Sequence, residues 1–282
     1  MGNQVIGFSV RLFMSAGDPD GLRLIEKSNW SGLGLVFPRS EFGQARQRVE
    51  LQRAGVYLLW GPGSNPAFLR LYIGEGDGVL PRLEQHVRNK DFWTHAAVFV
   101  SKDQNLNKAH VKYLESRLIA IAQAANRCEM DNGNASQPAS LSEADTADAE
   151  GFLADLLLCL PILGIHTFES GKVAADTAFD LVLTAKGVEA RGQDGSAGFL
   201  VRKGSCAVKN EVASIQAYLH DLRAALLRNG VLIDKGQYYE FTQDYLFNSP
   251  STAASVVLGR SENGRTAWKS AEGKSLKHIQ ES

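Results

Sequence analysis

The sequence predicts a mixed α/β (α+β) fold: a small three-stranded antiparallel sheet flanked by helices, followed by a C-terminal α+β domain. Two apolar strands, at 55–60 and 69–74, enclose a turn rich in Gly and Pro, which is typical of a β-hairpin. A third apolar strand follows at 96–101. Between 105 and 126 apolar residues recur at spacings of three and four, which indicates a helix that packs on the sheet.

The composition narrows the class of protein. With 282 residues and an apolar fraction of 44%, the chain can form one large domain or two ordinary ones with a real core. The net charge of −1 predicts that any nucleic-acid-binding surface is local. The three cysteines are far apart and lack a CxxC pattern, so we expect reduced thiols in an intracellular protein. No apolar run reaches the roughly 18 residues of a membrane span, and no secretory signal precedes Arg11, so we expect a cytoplasmic protein without a membrane partner.

Residues 1–50 are predicted to form an N-terminal extension that packs on the domain after it. The patterns at 7–15 and 32–37 indicate strands, and the polar stretch at 40–52 indicates a helix. A short helix is expected at 20–27, following the turn GDPDG.

The central domain is predicted at 51–134. Pro81 suits the first turn of a helix that runs from about Leu80 to Lys90. The later helix, at 105–126, has a core stripe that includes Leu114, and Glu115 lies one residue off that stripe.

The rest of the chain is predicted to be a linker at 135–148 and a C-terminal α+β domain at 149–282. The linker is rich in small polar residues and lies in a stretch, between Arg127 and Lys172, that has no Lys or Arg. The apolar segment 152–163 indicates a buried helix, because it is too short to cross a membrane. Later patterns predict strands within 179–204, a helix from Val208 to Arg228, a strand or strand-turn at 238–247, a short helix at 249–259 and a last strand.

Several side chains of the central domain have the chemistry that phosphodiester hydrolysis needs. Arg82 and His86 are four residues apart and share a helix face, while Tyr57 and Tyr72 lie on adjacent strands of the hairpin. An arginine stabilises charge on phosphate oxygens, a tyrosine or histidine can take a proton from water, and a carboxylate such as Glu115 can hold Mg²⁺. The ordinary tyrosine pKa of about 10 is unfavourable for a base, so a tyrosine base needs the metal or Arg82 nearby to lower it.

In their order and spacing these residues resemble the GIY-YIG nuclease superfamily. Residues 55–57, GVY, are similar to the GIY element with Val in place of Ile, and residues 72–74 match YIG. Arg82 stands where the superfamily has its essential arginine, and Glu115 where it has a single metal-binding glutamate. The resemblance covers roughly 51–134.

The same resemblance implies residues that bind the substrate. His86 and His95 lie where homing-type members have histidines, and Asn132 and Asn134 are the candidates for an asparagine that follows the last helix. We therefore expect Gly74, His95, Asn132 and Asn134 to contact substrate.

The C-terminal domain has a resemblance of its own. Residues 249–268 resemble the Ser-Pro-x-x-Ala-Ala…Asn-Gly…Trp signature of a domain of unknown function, and the whole chain is similar to bacterial proteins that join this domain to a GIY-YIG nuclease. Related signatures accompany restriction and modification enzymes, so the domain is expected to bind nucleic acid or a protein partner.

Together these features imply a metal-dependent endonuclease, with Mg²⁺ (or Mn²⁺) as cofactor and DNA, or alternatively RNA, as substrate. In the expected mechanism Tyr57 activates water with the help of His86, and Tyr72 and Arg82 hold the scissile phosphate. Glu115 carries one Mg²⁺ on the leaving-group side.

Each of these residues also has a purely structural interpretation. Tyr57 and Tyr72 are ordinary strand residues, Arg82 and Glu115 suit solvated helix positions, and His95 can cap or pack. For the whole chain the alternative is a catalytically idle nucleic-acid-binding or partner-binding regulatory protein on the same fold. Residues 51–134 carry ten Lys or Arg against eight Asp or Glu, so charge alone should give only modest affinity for DNA.

Overall fold

The chain folds as an α+β protein with two compact units. A computed structural model describes residues 7–64, 68–103, 105–133, 139–169, 180–195 and 198–281. The first unit takes in the described residues up to Phe168 except 124–126, and the second takes in those three and the chain from Glu169 onward.

The first unit is built on a seven-stranded sheet. Its strands are β1 (Val10–Met14), β2 (Arg23–Lys27), β3 (Gly32–Pro38), β4 (Gly55–Pro62), β5 (Leu69–Gly76), β6 (His95–Ser101) and β7 (Cys128–Met130). They lie in the order β1-β2-β3-β6-β4-β5-β7. Neighbours are antiparallel except β5 and β7, which are parallel. The three strands predicted for the central domain therefore lie side by side, as β6-β4-β5, within a larger sheet.

The helices of the first unit cover both faces of this sheet. They are α1 (Phe42–Ala45), α2 (Val79–Asn89), α3 (Lys108–Ala125) and α4 (Glu143–Cys159), with short 3₁₀ helices at Arg39–Glu41, Val49–Gln52 and Pro161–Leu163. Successive side chains of a strand point to opposite faces. Val56 and Leu58 of β4 accordingly pack in the core cluster that includes buried residues of α3 and α4, and Tyr57 and Leu59 pack in the cluster that includes those of α2.

The N-terminal residues differ from the prediction in two places. The helix expected at 20–27 is wrong, because Arg23–Lys27 pairs with both β1 and β3 and buries Ile25 completely. Pairing on both edges outweighs the weak helical preference of five residues. The helix expected at 40–52 consists of α1 and two short 3₁₀ segments instead.

The predicted domain boundary and the described part of the predicted linker also differ from the structure; residues 135–138 of that linker lie outside the described residues. Helix α4 begins at Glu143, inside the stretch 135–148, where the Ser142 hydroxyl accepts a hydrogen bond from Asp145 N–H as its N-cap. Phe152, Leu153 and Leu156 of this helix belong to the core of the first unit. The boundary therefore lies near Phe168, about twenty residues beyond the predicted one.

The second unit has two smaller sheets and four helices among its described residues. The strands are β8 (Asp180–Ala185), β9 (Val188–Gly195), β10 (Gly198–Val201), β11 (Cys206–Val208), β12 (Leu232–Asp234), β13 (Tyr238–Phe241), β14 (Tyr245–Phe247) and β15 (Lys269–Ser270). The sheet orders are β14-β10-β9-β8-β15 and β11-β13-β12. The helices are α5 (Ala217–Arg228), α6 (Pro250–Leu258), α7 (Gly264–Ala267) and α8 (Leu276–Gln280). Helix α5 starts nine residues later than predicted, because Val208 pairs with Tyr238 as part of a strand.

The signature at 249–268 has a structural explanation. Ser249 caps α6 by accepting from Thr252 N–H, and Pro250 occupies its first turn. A Cβ at Gly264 would overlap the Pro250 carbonyl. The fully buried Trp268 donates its indole N–H to that same carbonyl, at 3.0 Å. These residues thus hold α6 and α7 in close contact.

Two expectations from composition can be compared with the fold. Cys128, Cys159 and Cys206 are all free thiols, and the first two are buried, as expected. Among the residues that the structure describes, no helix has the length and apolar character needed to span a membrane.

Candidate active site

Strands β4 and β5 bring two tyrosines together. The register pairs Tyr57 with Gly74 and Leu59 with Tyr72, so both phenols lie on the face covered by α2, with ring centroids 6.2 Å apart. Tyr57 is fully buried and Tyr72 is half-buried. A Cβ at position 74 would overlap the Tyr57 phenol, which is the steric reason for a glycine there. The direct contact of Gly74 with substrate remains a prediction.

Helix α2 adds a third ring to the pair. Val79, Leu83 and His86 recur at spacings of four and three, and all three are buried against the sheet. The Nε2 atom of His86 lies 2.8 Å from the Tyr57 hydroxyl oxygen, and the imidazole meets the edge of the Tyr72 ring at a centroid distance of 4.8 Å. The hydrogen bond joins a phenol and an imidazole inside the protein, where each could take or give a proton.

Burial sets the protonation states of this pair. Burial, together with the charges of Lys90 and Arg82, lowers the pKa of His86 to about 4, so the imidazole is neutral at pH 7. Burial also raises the pKa of Tyr57, and Tyr72 adds to that rise. Arg82 lowers the Tyr57 pKa, as expected from the sequence, but its effect is smaller than that of burial. The resting pair is therefore a neutral phenol and a neutral imidazole.

Arg82 is the solvent-exposed member of the group. It lies on the first half of α2. Burial, the largest single effect, lowers the pKa of its guanidinium, but interactions with Tyr57, Tyr72 and Glu75 together raise that pKa above its ordinary value. Glu75 also forms an ion pair with Lys108 of α3, at 2.6 Å. Charged side chains of α2 and α3, which cover opposite faces of the sheet, therefore approach each other around the end of β5.

The structure adds three charged residues that the sequence did not single out. Lys90 Nζ lies 4.4 Å from the centre of the Tyr72 ring. The Asp131 carboxylate pairs with both Lys90 and Arg70, and its contact to Arg70 Nε is 2.8 Å. One signal for Lys90 was available, because it follows His86 by four residues at the end of the helix predicted from Leu80 to Lys90; in the structure it is the extended residue directly after α2. Asp131 and Arg70 gave no such signal, since their proximity depends on the pairing of β5 with β7.

Asn132 contacts the backbone of the YIG strand. Its side-chain oxygen accepts from Ile73 N–H at 3.0 Å, and its amide donates to Ile73 C=O at 2.7 Å. Asn132 thus extends the edge pairing of β5 beyond β7, and its predicted substrate contact remains a prediction. Asn134, the other candidate, lies outside the described residues.

His95 lies on the other face of the sheet. It belongs to the same face as Trp60, on which it stacks with a centroid distance of 5.6 Å, and its Nδ1 is 3.0 Å from Thr94 Oγ1. The structure therefore does not bring His95 together with Tyr57, Tyr72 and His86.

Glu115 is half-buried on α3, the helix whose buried residues face the Val56 side of the sheet. The described part of the chain has no group of three or more His, Cys, Asp or Glu side chains that could hold a metal ion. One carboxylate is a donor set that suits Mg²⁺, because this ion keeps several waters and uses one or two protein carboxylates plus substrate phosphate. Glu115 is compatible with a sparsely coordinated ion of that kind.

Comparison with known proteins bears on the second unit. Residues 181–280 match the model of a domain of unknown function, DUF4357. That range includes the 249–268 signature that holds α6 and α7 together. No curated protein and no solved structure matches the chain. The chain thus contains a region similar to the DUF4357 family, and the tyrosine site of the first unit lies outside that region.

Proposed function

We propose that the first unit is a metal-dependent endonuclease that hydrolyses a phosphodiester bond of nucleic acid, with DNA as the substrate. The observation that carries the proposal is the 2.8 Å hydrogen bond between the Tyr57 hydroxyl and His86 Nε2, beside the half-buried Tyr72 and the exposed Arg82. A phenol, an imidazole and a guanidinium in one place are the groups needed to move a proton and hold a phosphate.

Positive charge around Tyr72 supports a phosphate ligand. Arg70, Lys90 and Arg82 supply three cations, and Asp131 is the carboxylate that pairs with the first two. Arg82 remains exposed on α2 and carries a raised pKa. In the proposed complex Arg82 and the Tyr72 hydroxyl contact the non-bridging oxygens of the scissile phosphate.

The proton path in the proposal runs through the buried pair. The Tyr57 proton passes to His86 Nε2, the phenolate accepts a proton from water, and the resulting hydroxide attacks phosphorus while the bond to the leaving oxygen breaks. The leaving oxygen takes a proton from bulk water, and His86 returns its proton to the hydroxide that this leaves behind. An anionic phosphate nearby stabilises the imidazolium that forms, because opposite charges raise a histidine pKa. The depressed pKa of His86 makes it a weak base at rest, so this transfer depends on bound substrate.

A metal ion would be held by Glu115 in this proposal. When bound, Mg²⁺ or Mn²⁺ supplies Lewis-acid stabilisation of the charge that develops on the phosphate and the leaving oxygen. Glu115 lies on α3, which covers the face of the sheet opposite to the tyrosines and α2. At the end of β5, Glu75 interacts both with Lys108 of α3 and with Arg82 of α2.

One observation favours a second candidate, a nucleic-acid-binding protein without turnover. Tyr57 is completely buried, and burial raises its pKa. Both facts work against its use as a base unless substrate opens a path for water. In this second function Arg82 and Tyr72 would still hold phosphate, and Tyr57 and His86 would only pack.

A cleavage and binding assay on one preparation separates the two functions. Purified protein is incubated with supercoiled plasmid and with a mixed RNA pool in Mg²⁺, Mn²⁺ or EDTA, and gel shift measures binding to the same nucleic acids. We expect metal-dependent nicking of the plasmid, and its loss in Tyr57→Phe and Glu115→Gln but not in Glu143→Gln, an exposed carboxylate of α4. Binding without cleavage in either metal would establish the second function, and full cleavage by Glu115→Gln would exclude the metal role of that residue.

A further inference from the structure

Strand β8 of the second unit has an edge that is only partly covered. On one side β8 pairs with β9 along its whole length, from Asp180 to Ala185. On the other side β15 covers only Leu181 and Val182. Beyond them lies an open cleft of about 480 Å³. Its lining includes Thr184, Arg260, Glu262, Thr266 and Lys269.

The cleft exists because the chain leaves the sheet before β15. In an antiparallel pair the residues just before Lys269 would continue alongside Leu183 and Thr184. They form helix α7 instead (Gly264–Ala267), and Trp268 is fully buried with its indole bonded to Pro250 C=O. The contacts of Gly264 and Trp268 with Pro250 therefore keep this stretch of edge open.

The backbone of Thr184 points into the cleft. Lys186 and Gly187, with φ of 51° and 78°, form the two-residue turn between β8 and β9. Ala185 and Val188, which flank such a turn, exchange both of their backbone hydrogen bonds. The N–H and C=O of the next residue along β8, Thr184, therefore point away from β9.

The contacts of β15 lead to the same orientation independently. Ser270 N–H donates to Lys274 C=O at 2.8 Å, so the backbone groups of Lys269, one residue earlier, face Val182 of β8. Val182 and Thr184 are two residues apart, so the backbone N–H and C=O of both point to the same side of β8, the side on which β15 lies. Apart from bonds within the sheets, no backbone hydrogen bond in the described ranges involves the N–H or C=O of Thr184, and β15 pairs only with Leu181 and Val182 of β8. One donor and one acceptor are therefore available for another strand.

The charge beside this edge is positive. Arg260 pairs with Glu262 at 2.6 Å, so these two residues balance each other. Lys269 and Lys186 are exposed, and no carboxylate in the described ranges pairs with either. A second copy of the chain pairing through the same edge would bring these lysines together, and lysines on an edge are a known means of preventing such pairing. The surplus charge favours an acidic partner.

We propose that this cleft binds an extended peptide segment that carries an acidic side chain and adds to β8 as a strand at Thr184. Main-chain hydrogen bonds to Thr184 hold the peptide, as in other cases of strand addition. Alternate side chains of the peptide point into the cleft, and the acidic one meets Lys269. The proposal does not depend on the function proposed for the first unit, because its site lies wholly within the second.

Binding to the full-length protein tests the proposal. The probes are two phage-displayed pools of random heptapeptides, one with Glu and one with Lys fixed at the central position, followed by fluorescence anisotropy of the selected sequences. We expect enrichment from the Glu pool only. Thr184→Pro removes the outward N–H without touching the bonds to β9 and should weaken binding at least tenfold, whereas Thr184→Val keeps the N–H and should bind as wild type. Lys269→Glu should transfer the preference to the Lys pool.

Hydrogen exchange checks the edge itself. In the free protein the Thr184 amide should exchange fast, and the amides of Leu183 and Ala185, which bond β9, should exchange slowly. Bound peptide should slow exchange of the Thr184 amide at least tenfold and leave exchange of the Leu183 and Ala185 amides unchanged. The proposal is overturned if Thr184 is already protected in the free protein, if neither pool binds, if Thr184→Pro binds as wild type, or if sedimentation shows that copies of the chain pair through this edge.

Discussion

The Tyr57 hydroxyl and the His86 imidazole share a hydrogen bond in a buried site, and burial shifts both pKa values in the direction that keeps both groups neutral. The phenol keeps its proton to higher pH, and the imidazole stays unprotonated to lower pH. A neutral resting pair is stable but poorly poised for catalysis. At the scale of the residue, the proposed activity therefore depends on a substrate charge that the free protein lacks.

The depressed pKa of His86 predicts a pH dependence of stability. Its pKa is about 4 in the folded chain against an ordinary 6.5, so the unfolded chain binds more protons between these pH values. The contribution of neutral His86 to the free energy of unfolding is fully present above pH 6.5 and is lost as pH falls to about 4. Its upper bound is about 3 kcal/mol. Urea denaturation at steps from pH 7 to pH 4 should show a shallower decline for His86→Phe than for wild type.

His220 offers a control with the opposite sign. It is exposed, and its hydrogen bond to Glu211, 2.7 Å long, raises its pKa. Any contribution from His220 is present at low pH and is lost as pH rises through its folded pKa. His220→Gln should therefore leave the acid-side decline in place. An acid-side decline that is equally steep in His86→Phe would contradict the role assigned to His86.

Arg82 has a separate prediction within the proposed nuclease. If it stabilises charge on the phosphate, Arg82→Ala should lower turnover by about 10²–10³ and leave the thermal midpoint near that of wild type, because the side chain is exposed. Arg88→Ala, on the same helix and also exposed, is the matched control and should keep turnover. Plasmid-nicking rates and gel shifts measure both. An equal loss of binding and turnover would make Arg82 a docking residue.

At the scale of the element, the β4–β5 hairpin depends on a glycine beneath the Tyr57 ring. Alanine at position 74 would place its Cβ into that phenol, and Tyr57 cannot retreat because it is packed in the core. Overpacking of this kind costs about 1–3 kcal/mol. Gly74→Ala should therefore lower the free energy of unfolding by that amount in urea and disturb the Tyr57–His86 contact.

A matched control for this prediction lies in α1. A Cβ at Gly43 would meet no atom within 4 Å, so Gly43→Ala should leave stability within about 1 kcal/mol of wild type. If Gly74→Ala were as stable as Gly43→Ala, steric need would not explain the glycine after Tyr72 and Ile73.

At the scale of the whole molecule, α4 decides where the first unit ends. Its residues Phe152, Leu153 and Leu156 are buried in the core with α3. Burial of one such side chain contributes about 1.5–3 kcal/mol. The three together are thus comparable with the roughly 5–15 kcal/mol of net stability that a domain has.

Two truncated chains test that boundary. A chain ending at Phe168 keeps α4 and should be monomeric with one cooperative urea transition. A chain ending at Ser142 lacks α4, leaves the apolar surface of α3 open and should aggregate or unfold without cooperativity. Size exclusion and denaturation monitored by circular dichroism distinguish them. If the shorter chain were as stable as the longer one, α4 would not be part of the first unit.

The differences between prediction and structure have one cause in common. Residues 20–27 and the described end of the predicted linker, 143–148, have weak local patterns. Pairing with the strands on both sides decided the structure of the first segment, and burial of the rest of α4 against α3 decided that of the second. His95 shows the same limit within the site. The sequence places it on a strand, but its stacking on Trp60 follows from which face of the sheet that strand presents.

The sequence by itself determined the hairpin at 55–74, the third strand at 96–101, the helices that begin near 80 and 108, and the side chains whose chemistry suits a phosphodiester. Turn chemistry and the periods of 2 and 3.6 residues are local properties, so they can be read without the fold. Only the tertiary structure decided that Tyr57 bonds a neutral His86 and that Lys90, Asp131 and Arg70 join Tyr72. It also decided that, among the described residues, β15 leaves the edge of β8 open at Thr184. These depend on burial and on charges or strands that are distant in the chain, and no local pattern encodes them.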